Sequence, residues 1–90
     1  MPRENKYVKK DDLIEYVNDM GAVLEYNRSV GVFYIFSRHD VDNWVWVINP
    51  HTNERVRKLR ELEKFFWYRA LDEALNRLSE SSRSRATQQK

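Results

Sequence analysis

The chain has 90 residues, no cysteine and a formal net charge of +2. This length makes one domain and leaves no room for a second core. The lack of cysteine excludes disulfides, thiol nucleophiles and thiolate metal sites. With two glycines, the sequence also lacks a glycine-rich phosphate-binding loop. The composition therefore favours one compact domain built from regular elements.

The charge is unevenly distributed along the chain. Residues 1–78 hold 13 basic and 13 acidic residues, so the net charge comes from residues 79–90. Residues 11–25 carry acidic charges alone, whereas residues 55–69 carry six basic residues against two acidic ones. A cationic coat over the whole domain is excluded, and a local basic patch is allowed.

No segment has the pattern of a targeting or membrane-spanning sequence. Residues 1–6 lack the apolar stretch of a signal peptide, and no apolar run approaches the roughly 20 residues that span a bilayer. The sequence therefore predicts a cytoplasmic protein without membrane contact. We expect a flexible basic arm over residues 1–10, a single domain over residues 11–78 and a disordered Ser/Arg tail over residues 79–90.

The first predicted element is a short amphipathic helix. Asp12 and Glu15 have the spacing of a capping box, in which an acceptor is followed three residues later by a carboxylate. Apolar residues then recur at helical intervals over residues 13–20, and Gly21 supplies a stop.

Three strands are expected next. The first covers residues 22–28, the second residues 32–37 and the third residues 44–48, with a polar loop over residues 38–43. Connections this short make consecutive strands pair with each other. The pattern therefore predicts an antiparallel three-stranded meander.

A long helix is expected over residues 53–78. No glycine or proline interrupts this range, and Glu54 and Lys58 have the favourable i, i+4 order. Its predicted apolar stripe comprises Val56, Leu59, Leu62, Phe66, Ala70 and Ala74. The predicted fold is thus α+β with the order αβββα: a three-stranded antiparallel meander packed by a short N-terminal helix and a long C-terminal helix.

This element order resembles that of double-stranded RNA-binding domains, and residues 70–78 are similar to the end of their last helix. Those domains open that helix on a Gly- and Lys-rich segment, whereas the sequence Thr-Asn-Glu-Arg stands at residues 52–55 here. Element order alone does not carry function, so the resemblance is one of architecture.

The second and third strands are apolar on both of their alternating faces, unlike an ordinary half-buried strand. Tyr34 and Phe36 share one face of the second strand, and Trp44 and Trp46 share one face of the third. If the two sets face the same way, the sheet carries a platform of rings that could stack bases or dock a protein. The alternative is that a helix or a second subunit covers the rings, because aromatic stripes are usually core.

The predicted C-terminal helix has a basic edge. Arg57, Arg60 and Lys64 would lie at i, i+3 and i+7, and Tyr68 would continue the row one turn later. A row of cations on a helix could contact nucleic-acid phosphates. These are the candidate nucleic-acid-binding residues.

A second outward row on the same helix comprises Lys58, Phe65 and Arg69. Exposed aromatics beside arginine are common at protein interfaces. The alternative for both rows is a solvated face balanced by Glu61 and Glu63. The candidate partner-binding residues are Lys58, Phe65, Arg69, Tyr34, Trp44 and Trp46.

No group of residues indicates catalysis or metal binding. His39 and His51 lack the close ligand spacing of metal sites, and Asp40, Asp42 and Asn43 suit turns, where they hydrogen-bond nearby backbone. The sequence offers no cysteine and no serine within a nucleophile motif. We therefore predict no catalytic residue, no metal, no cofactor and no small-molecule substrate.

The function predicted from the sequence is that of a small, non-enzymatic regulatory binding module. It would contact nucleic acid through the basic edge of its C-terminal helix. The alternative is a protein-interaction or inhibitor module that docks through exposed aromatics and could be a homodimer. Acidic residues 11–25 and basic residues 55–69 also permit self-association.

Overall fold

The computed structural model describes residues 7–88, and it describes side chains for residues 7–80. The elements are α1 (Lys10–Asp19), β1 (Ala22–Asn27), β2 (Val32–Ser37), β3 (Asp40–Trp46), a 3-10 turn (Leu59–Glu61) and α2 (Lys64–Gln88). The strands form one antiparallel sheet in the order β1-β2-β3. The predicted α+β fold, a meander with a short and a long helix, is confirmed.

Helix α1 begins earlier than its predicted capping box. Lys9 is the N-cap residue and makes no side-chain capping hydrogen bond, while Asp11 and Asp12 lie in the first turn. The capping-box prediction was therefore wrong, although both carboxylates still suit the positive end of the helix dipole. The predicted stop is correct: Gly21 follows the helix with φ of 82°, a conformation that side chains disfavour.

A tight turn joins β2 to β3 in place of the predicted polar loop. Ser37 pairs with Asp40, which leaves Arg38 and His39 as a two-residue connection. The register shifts beside this turn, so residues 41–43 bulge from the ladder. The third strand consequently begins four residues earlier than predicted.

Both helices pack on one face of the sheet, called here the covered face. Helix α1 contacts β1, α2 contacts β2 and β3, and the two helices contact each other. The hydrophobic core lies between these layers. Its sheet residues include Leu24, Phe33, Ile35 and Val47, and its helix residues include Leu13, Val17, Trp67, Leu71 and Ala74.

The long helix begins at Lys64, so its predicted start at Asn53 was wrong. Residues 53–63 instead return alongside the end of the sheet. Asn53 has φ of 64°, a left-handed conformation that a right-handed helix interior does not contain. The buried Val56 then exchanges backbone hydrogen bonds with the sheet: its N–H donates to Val47, and its carbonyl accepts from Phe33.

Glu61 holds this return in place. Its carboxylate accepts hydrogen bonds from Asn49 Nδ2 at 2.8 Å, from the Arg57 N–H at 2.9 Å and from the Lys58 N–H at 3.3 Å. Burial raises the pKa of Glu61, but these hydrogen bonds and the charge of Arg57 outweigh burial, so its pKa lies below the usual value. Glu54 and Lys58, predicted as an i, i+4 pair on the helix, both precede α2, so that prediction was wrong.

Helix α2 continues to Gln88, beyond the predicted end at residue 78. The prediction of a disordered tail over residues 79–90 stays a prediction, and most of the predicted flexible arm lies outside the described residues. Arg77 Nη2 donates to the Trp46 carbonyl at 3.1 Å and ties α2 to the third strand. Within the described part of the chain, neither helix has the length and apolar character to cross a bilayer.

Candidate functional site

The sheet face opposite the helices is apolar, and the described residues leave its aromatic rings partly exposed. Strand alternation sends the even-numbered residues of β2 and β3 to this face, and the register sets Phe36 beside Trp44 and Tyr34 beside Trp46. We define the open face as Val23, Glu25, Val32, Tyr34, Phe36, Trp44, Trp46, Ile48 and Arg55.

Four aromatic rings form one cluster on the open face. The Tyr34 ring centroid lies 5.9 Å from that of Phe36 and 6.2 Å from those of Trp44 and Trp46. The two indole rings meet at 76° with centroids 4.7 Å apart. Edge-to-face contacts of this kind are worth about 0.5–1.5 kcal/mol each beyond area burial. The two aromatic sets identified in the sequence thus share one face.

The ring cluster is accessible from solvent. Trp44 is 45% exposed and Val41, at the bulge, is 67% exposed. Together with Asn27, Tyr34 and Trp46, they line a shallow depression of about 450 Å³. Single exposed apolar residues are ordinary, but contiguous exposed apolar groups mark contact surfaces.

The open face has two charged groups, one on β1 and one on the return. The Tyr34 hydroxyl donates to Glu25 Oε1 at 3.3 Å, and the Arg55 guanidinium lies over the Trp46 ring, 5.0 Å from its centroid. Glu25, Tyr34 and Trp46 lie in register across the sheet. Arg55 pairs with Ile48 in the return, which lies on the β2 side of the end of β3, and its side chain reaches Trp46 from there. Burial, followed by the charge and hydrogen bond of Glu25, raises the pKa of Tyr34, so its phenol is neutral at physiological pH.

The basic row predicted on the C-terminal helix is not a helix edge. Arg57 and Arg60 precede α2 and Lys64 is its first residue, so the three side chains do not repeat along one helix. All three are exposed. Residues 57–64 are called here the basic segment. The Arg60 guanidinium lies 5.6 Å from the centroid of the Tyr7 ring, so the start of the described chain contacts this segment.

Tyr68, predicted to continue the basic row, belongs to the contact between the two helices. Its ring packs edge-to-face on Tyr16 with centroids 4.8 Å apart. The Tyr16 hydroxyl donates to Asp72 Oδ1. That hydrogen bond, then burial and the charge of Asp72, raises the pKa of Tyr16 to about 12. The placement of Tyr68 favours a packing role over base stacking.

The second predicted row, Lys58, Phe65 and Arg69, is divided in the same way. Lys58 precedes α2. Arg69 Nε lies 3.8 Å from Glu73 Oε2 in an exposed i, i+4 ion pair, and exposed ion pairs contribute little stability. Phe65 is 67% exposed, and its ring lies 5.2 Å from that of Phe66, which packs on His51. Phe65 is thus an exposed aromatic on α2, separate from the ring cluster.

Polar side chains near the turns make hydrogen bonds to backbone groups. The Asp40 carboxylate accepts the Asp42 N–H at 3.1 Å, consistent with its interpretation as a turn residue. Asn43 differs from its prediction, because it is buried and its Nδ2 donates to the Leu78 carbonyl at 3.3 Å. Among the residues that the structure describes, no group of three His, Cys, Asp or Glu side chains could hold a metal ion.

Sequence reasoning missed the two charged members of the open face. Glu25 was counted within an acidic segment, and Arg55 was placed on a helix. The turn-forming Asn49 and Pro50, followed by Asn53, were a signal that residue 55 lies in a return and not in a helix.

Comparison of this chain with protein-family models, with curated proteins and with solved structures gave no match. Its function is therefore argued from the open face and from the basic segment.

Proposed function

We propose that this protein is a small, non-enzymatic binding module that docks onto a protein through the open face. The supporting observation is the four-ring cluster on a sheet face that the two helices leave uncovered. The cores of protein interfaces are enriched in Tyr, Trp, Phe and Arg and depleted of other charged groups. The open face has this composition: four aromatic rings with two charged side chains, Glu25 and Arg55.

A single nucleic-acid strand is less favoured on the same face. Such sites combine stacking aromatics with a positively charged groove. The residues of the open face carry one cation and one carboxylate, so the set is neutral. The guanidinium of Arg55 also lies over Trp46, and the indoles of Trp44 and Trp46 meet at 76°, which leaves few ring faces for bases.

Site-specific photocrosslinking tests the docking proposal. A benzophenone amino acid replaces Trp44 on the open face or, as a matched control, Phe65 on α2, and irradiation is carried out in the producing cells. We expect protein adducts from position 44, reduced by a second substitution Tyr34→Ser, and few from position 65. Nucleic-acid adducts from position 44, or equal protein adducts from both positions, would contradict the proposal.

Nucleic-acid contact through the basic segment is the second candidate function. The Arg60 guanidinium lies 5.6 Å from the centroid of the Tyr7 ring, at the start of the described chain, where Lys9 and Lys10 are also exposed. Lysine and arginine that neutralise phosphates release counterions, which makes binding strongly dependent on salt. The exposed cations of the segment are Arg57, Lys58, Arg60 and Lys64.

Fluorescence anisotropy with labelled oligonucleotides at low and near-physiological salt tests this second function. We expect affinity that falls steeply with salt and is lost in the double variant Arg60→Glu with Lys64→Glu. Arg28→Glu with Arg69→Glu makes the same charge change elsewhere and serves as the control. Affinity that is independent of salt, or equal in the two double variants, would exclude the basic segment as a nucleic-acid-binding site. A regulatory role in the cytoplasm is proposed with either function.

A further inference from the structure

The two edges of the sheet are built differently. On the β3 edge, the register shift makes residues 41–43 bulge, and Arg77 Nη2 donates to the Trp46 carbonyl. Strand β1 forms the other edge, keeps an unbroken register from Ala22 to Asn27 and contains neither proline nor lysine. Proteins use bulges, prolines and lysines to prevent exposed edges from pairing with other chains. Strand β1 lacks all three, so its edge is suited to receive a further strand.

The hydrogen bonds of the β1–β2 hairpin identify the backbone groups on this edge. The Arg38 N–H donates to the Gly21 carbonyl at 3.0 Å, and the Gly31 N–H donates to the Asn27 carbonyl at 2.7 Å. The odd-numbered residues of β1 therefore bond toward β2, because the peptide groups of successive residues in a strand point to opposite sides. The N–H and carbonyl groups of the even-numbered residues point away from β2. These residues are Ala22, Leu24 and Tyr26.

A groove of about 400 Å³ lies between α1 and this part of β1. Its apolar lining includes Ile14 of α1 and Phe33 of β2, on which the Tyr26 ring packs edge-to-face with centroids 5.0 Å apart. Two exposed cations, Lys10 at the start of α1 and Arg28 after β1, also line the groove. The groove thus combines apolar and cationic side chains with the outward backbone groups of β1.

The charges of the groove favour an acidic partner. Its one carboxylate, that of Glu25, accepts the Tyr34 hydroxyl on the open face, because strand alternation turns this side chain away from Leu24 and Tyr26. The cations Lys10 and Arg28 therefore have no carboxylate of β1 on their own side of the sheet.

We propose that the edge of β1 binds an extended segment of another protein, which adds to the sheet as its fourth strand. An apolar side chain of the segment enters the groove, and an acidic side chain two positions away pairs with Lys10 and Arg28. In this mode of recognition, main-chain hydrogen bonds supply affinity and the pockets for alternate side chains supply specificity. This surface is separate from the ring cluster, so the inference goes beyond the proposed function.

The same charges disfavour a second copy of this chain as the added strand. Strand β1 of a second copy would bring Ala22, Leu24 and Tyr26 to the groove side of the sheet, and none of these residues carries a charge. Lys10 and Arg28 would then gain no carboxylate from the added strand. An acidic segment satisfies both the backbone edge and the cations.

Selection of phage-displayed random dodecapeptides on the immobilised protein tests the inference. We expect enriched peptides with an acidic residue two positions from an apolar one. The affinity of a labelled enriched peptide, measured by fluorescence anisotropy, should fall at least about tenfold in the double variant Lys10→Glu with Arg28→Glu. Lys64→Glu with Arg69→Glu makes the same charge change on α2 and should leave the affinity intact. Circular dichroism verifies that both variants are folded.

Backbone N-methylation of the enriched peptide, one position at a time, tests strand addition without altering the protein. Alternate N–H groups of an added strand face β1 and the others face away. Within the paired part of the peptide, N-methylation should therefore abolish binding at every second position and leave it nearly unchanged at the positions between. Equal effects at adjacent positions would exclude an added strand.

Three further outcomes would overturn the inference: no enriched peptide, equal affinity in the two charge variants, or affinity that falls as protein concentration rises, which would assign the edge to a second copy. Peptides whose affinity is lost in Tyr34→Ser but retained in Lys10→Glu with Arg28→Glu would move the contact to the open face. That result would remove the edge site and support the proposed function. Absence of protein adducts from position 44 would remove the proposed function and leave the edge site standing.

Discussion

The two faces of the sheet have the same apolar character and opposite surroundings. On the covered face, Ile35 and Val47 have no exposed area, whereas Trp44 on the open face is 45% exposed. Phe36, next to Ile35 in the sequence, and Trp46, next to Val47, lie on the open face and are partly buried among other rings. The apolar stripes of α1 and α2 cover one face and leave the other uncovered.

This difference shows what apolar strands do and do not indicate. An apolar run on both alternating faces indicates that the sheet has two apolar faces. It does not indicate which face the chain's own helices cover. Here the aliphatic side chains lie mainly beneath the helices, and the rings lie mainly on the open face, where large flat groups suit a contact surface.

Adjacent residues on the two faces give the largest expected contrast in stability. Ile35→Ala leaves a cavity in the core and should lower the free energy of unfolding by about 2–5 kcal/mol. Phe36→Ala removes a ring from the partly exposed cluster and opens no closed cavity, so it should cost less than Ile35→Ala. Urea unfolding measures both free energies. Equal costs would show that the two faces are not differently covered.

The sheet and first helix were largely predictable, because local patterns determine them. The second strand agrees with its prediction over residues 32–37, where the turn at Gly31 and the apolar run set its bounds. The third strand was predicted to begin too late, because the polar side chains of Asp40 and Asp42 are typical of a loop. Their backbone is nevertheless part of the strand and bulge.

The start of α2 was not predictable from periodicity. Val56, Leu59 and Leu62 recur every three residues, as on one side of a helix, yet they reach the core from a return that follows Asn53 in its left-handed conformation. The hydrogen bond between Asn49 and Glu61 that secures this return joins residues 12 positions apart, so no local pattern contains it. The loss of the predicted basic helix edge follows from the same return.

The return also links the two faces, since Val56 is in the core while Arg55 lies on the open face. Glu61→Gln weakens the carboxylate hydrogen bonds that hold the return and should cost about 1–3 kcal/mol. Because the pKa of Glu61 is lowered by folding, this stabilisation is present above its usual value of 4.5 and disappears as pH falls through the lower, folded value.

Urea unfolding of the wild type and Glu61→Gln across acidic pH measures the effect. The difference in free energy of unfolding between the wild type and Glu61→Gln should shrink below pH 4.5. Glu54→Gln, at an exposed residue of the same return, serves as the control. A difference that does not change with pH would show that the Glu61 carboxylate does not anchor the return.

The turn after α1 directs that helix back over the covered face. Gly21→Ala places a side chain at φ of 82°, and a Cβ there would have no heavy atom within 4 Å, so backbone strain is the whole cost. We expect a loss of about 1–2 kcal/mol. Thermal unfolding measures it, and an unchanged melting temperature would show that the turn relaxes without strain.

The smallest expected effect concerns the contact between helices on the covered face. The pKa of Tyr16 is raised to about 12 from 10.0. The hydrogen bond to Asp72 therefore stabilises the fold below pH 10 and is lost as pH rises from 10 toward 12. Tyr16→Phe should be slightly less stable than the wild type at neutral pH, and this difference in free energy of unfolding should vanish as pH rises from 10 toward 12. Urea unfolding of both proteins across that pH range measures the difference, and a difference that grows with pH would contradict the prediction.

The most direct measurement of the central claim, that the rings of the open face are accessible, is acrylamide quenching of tryptophan fluorescence. Trp67 is fully buried and stays shielded, so the quenchable emission reports Trp44 and Trp46. We expect efficient quenching of the wild type and a clear loss of quenchable emission in Trp44→Phe, because Trp44 is 45% exposed. Quenching of the wild type as weak as that of a buried indole would show that the rings are covered and would contradict an accessible open face.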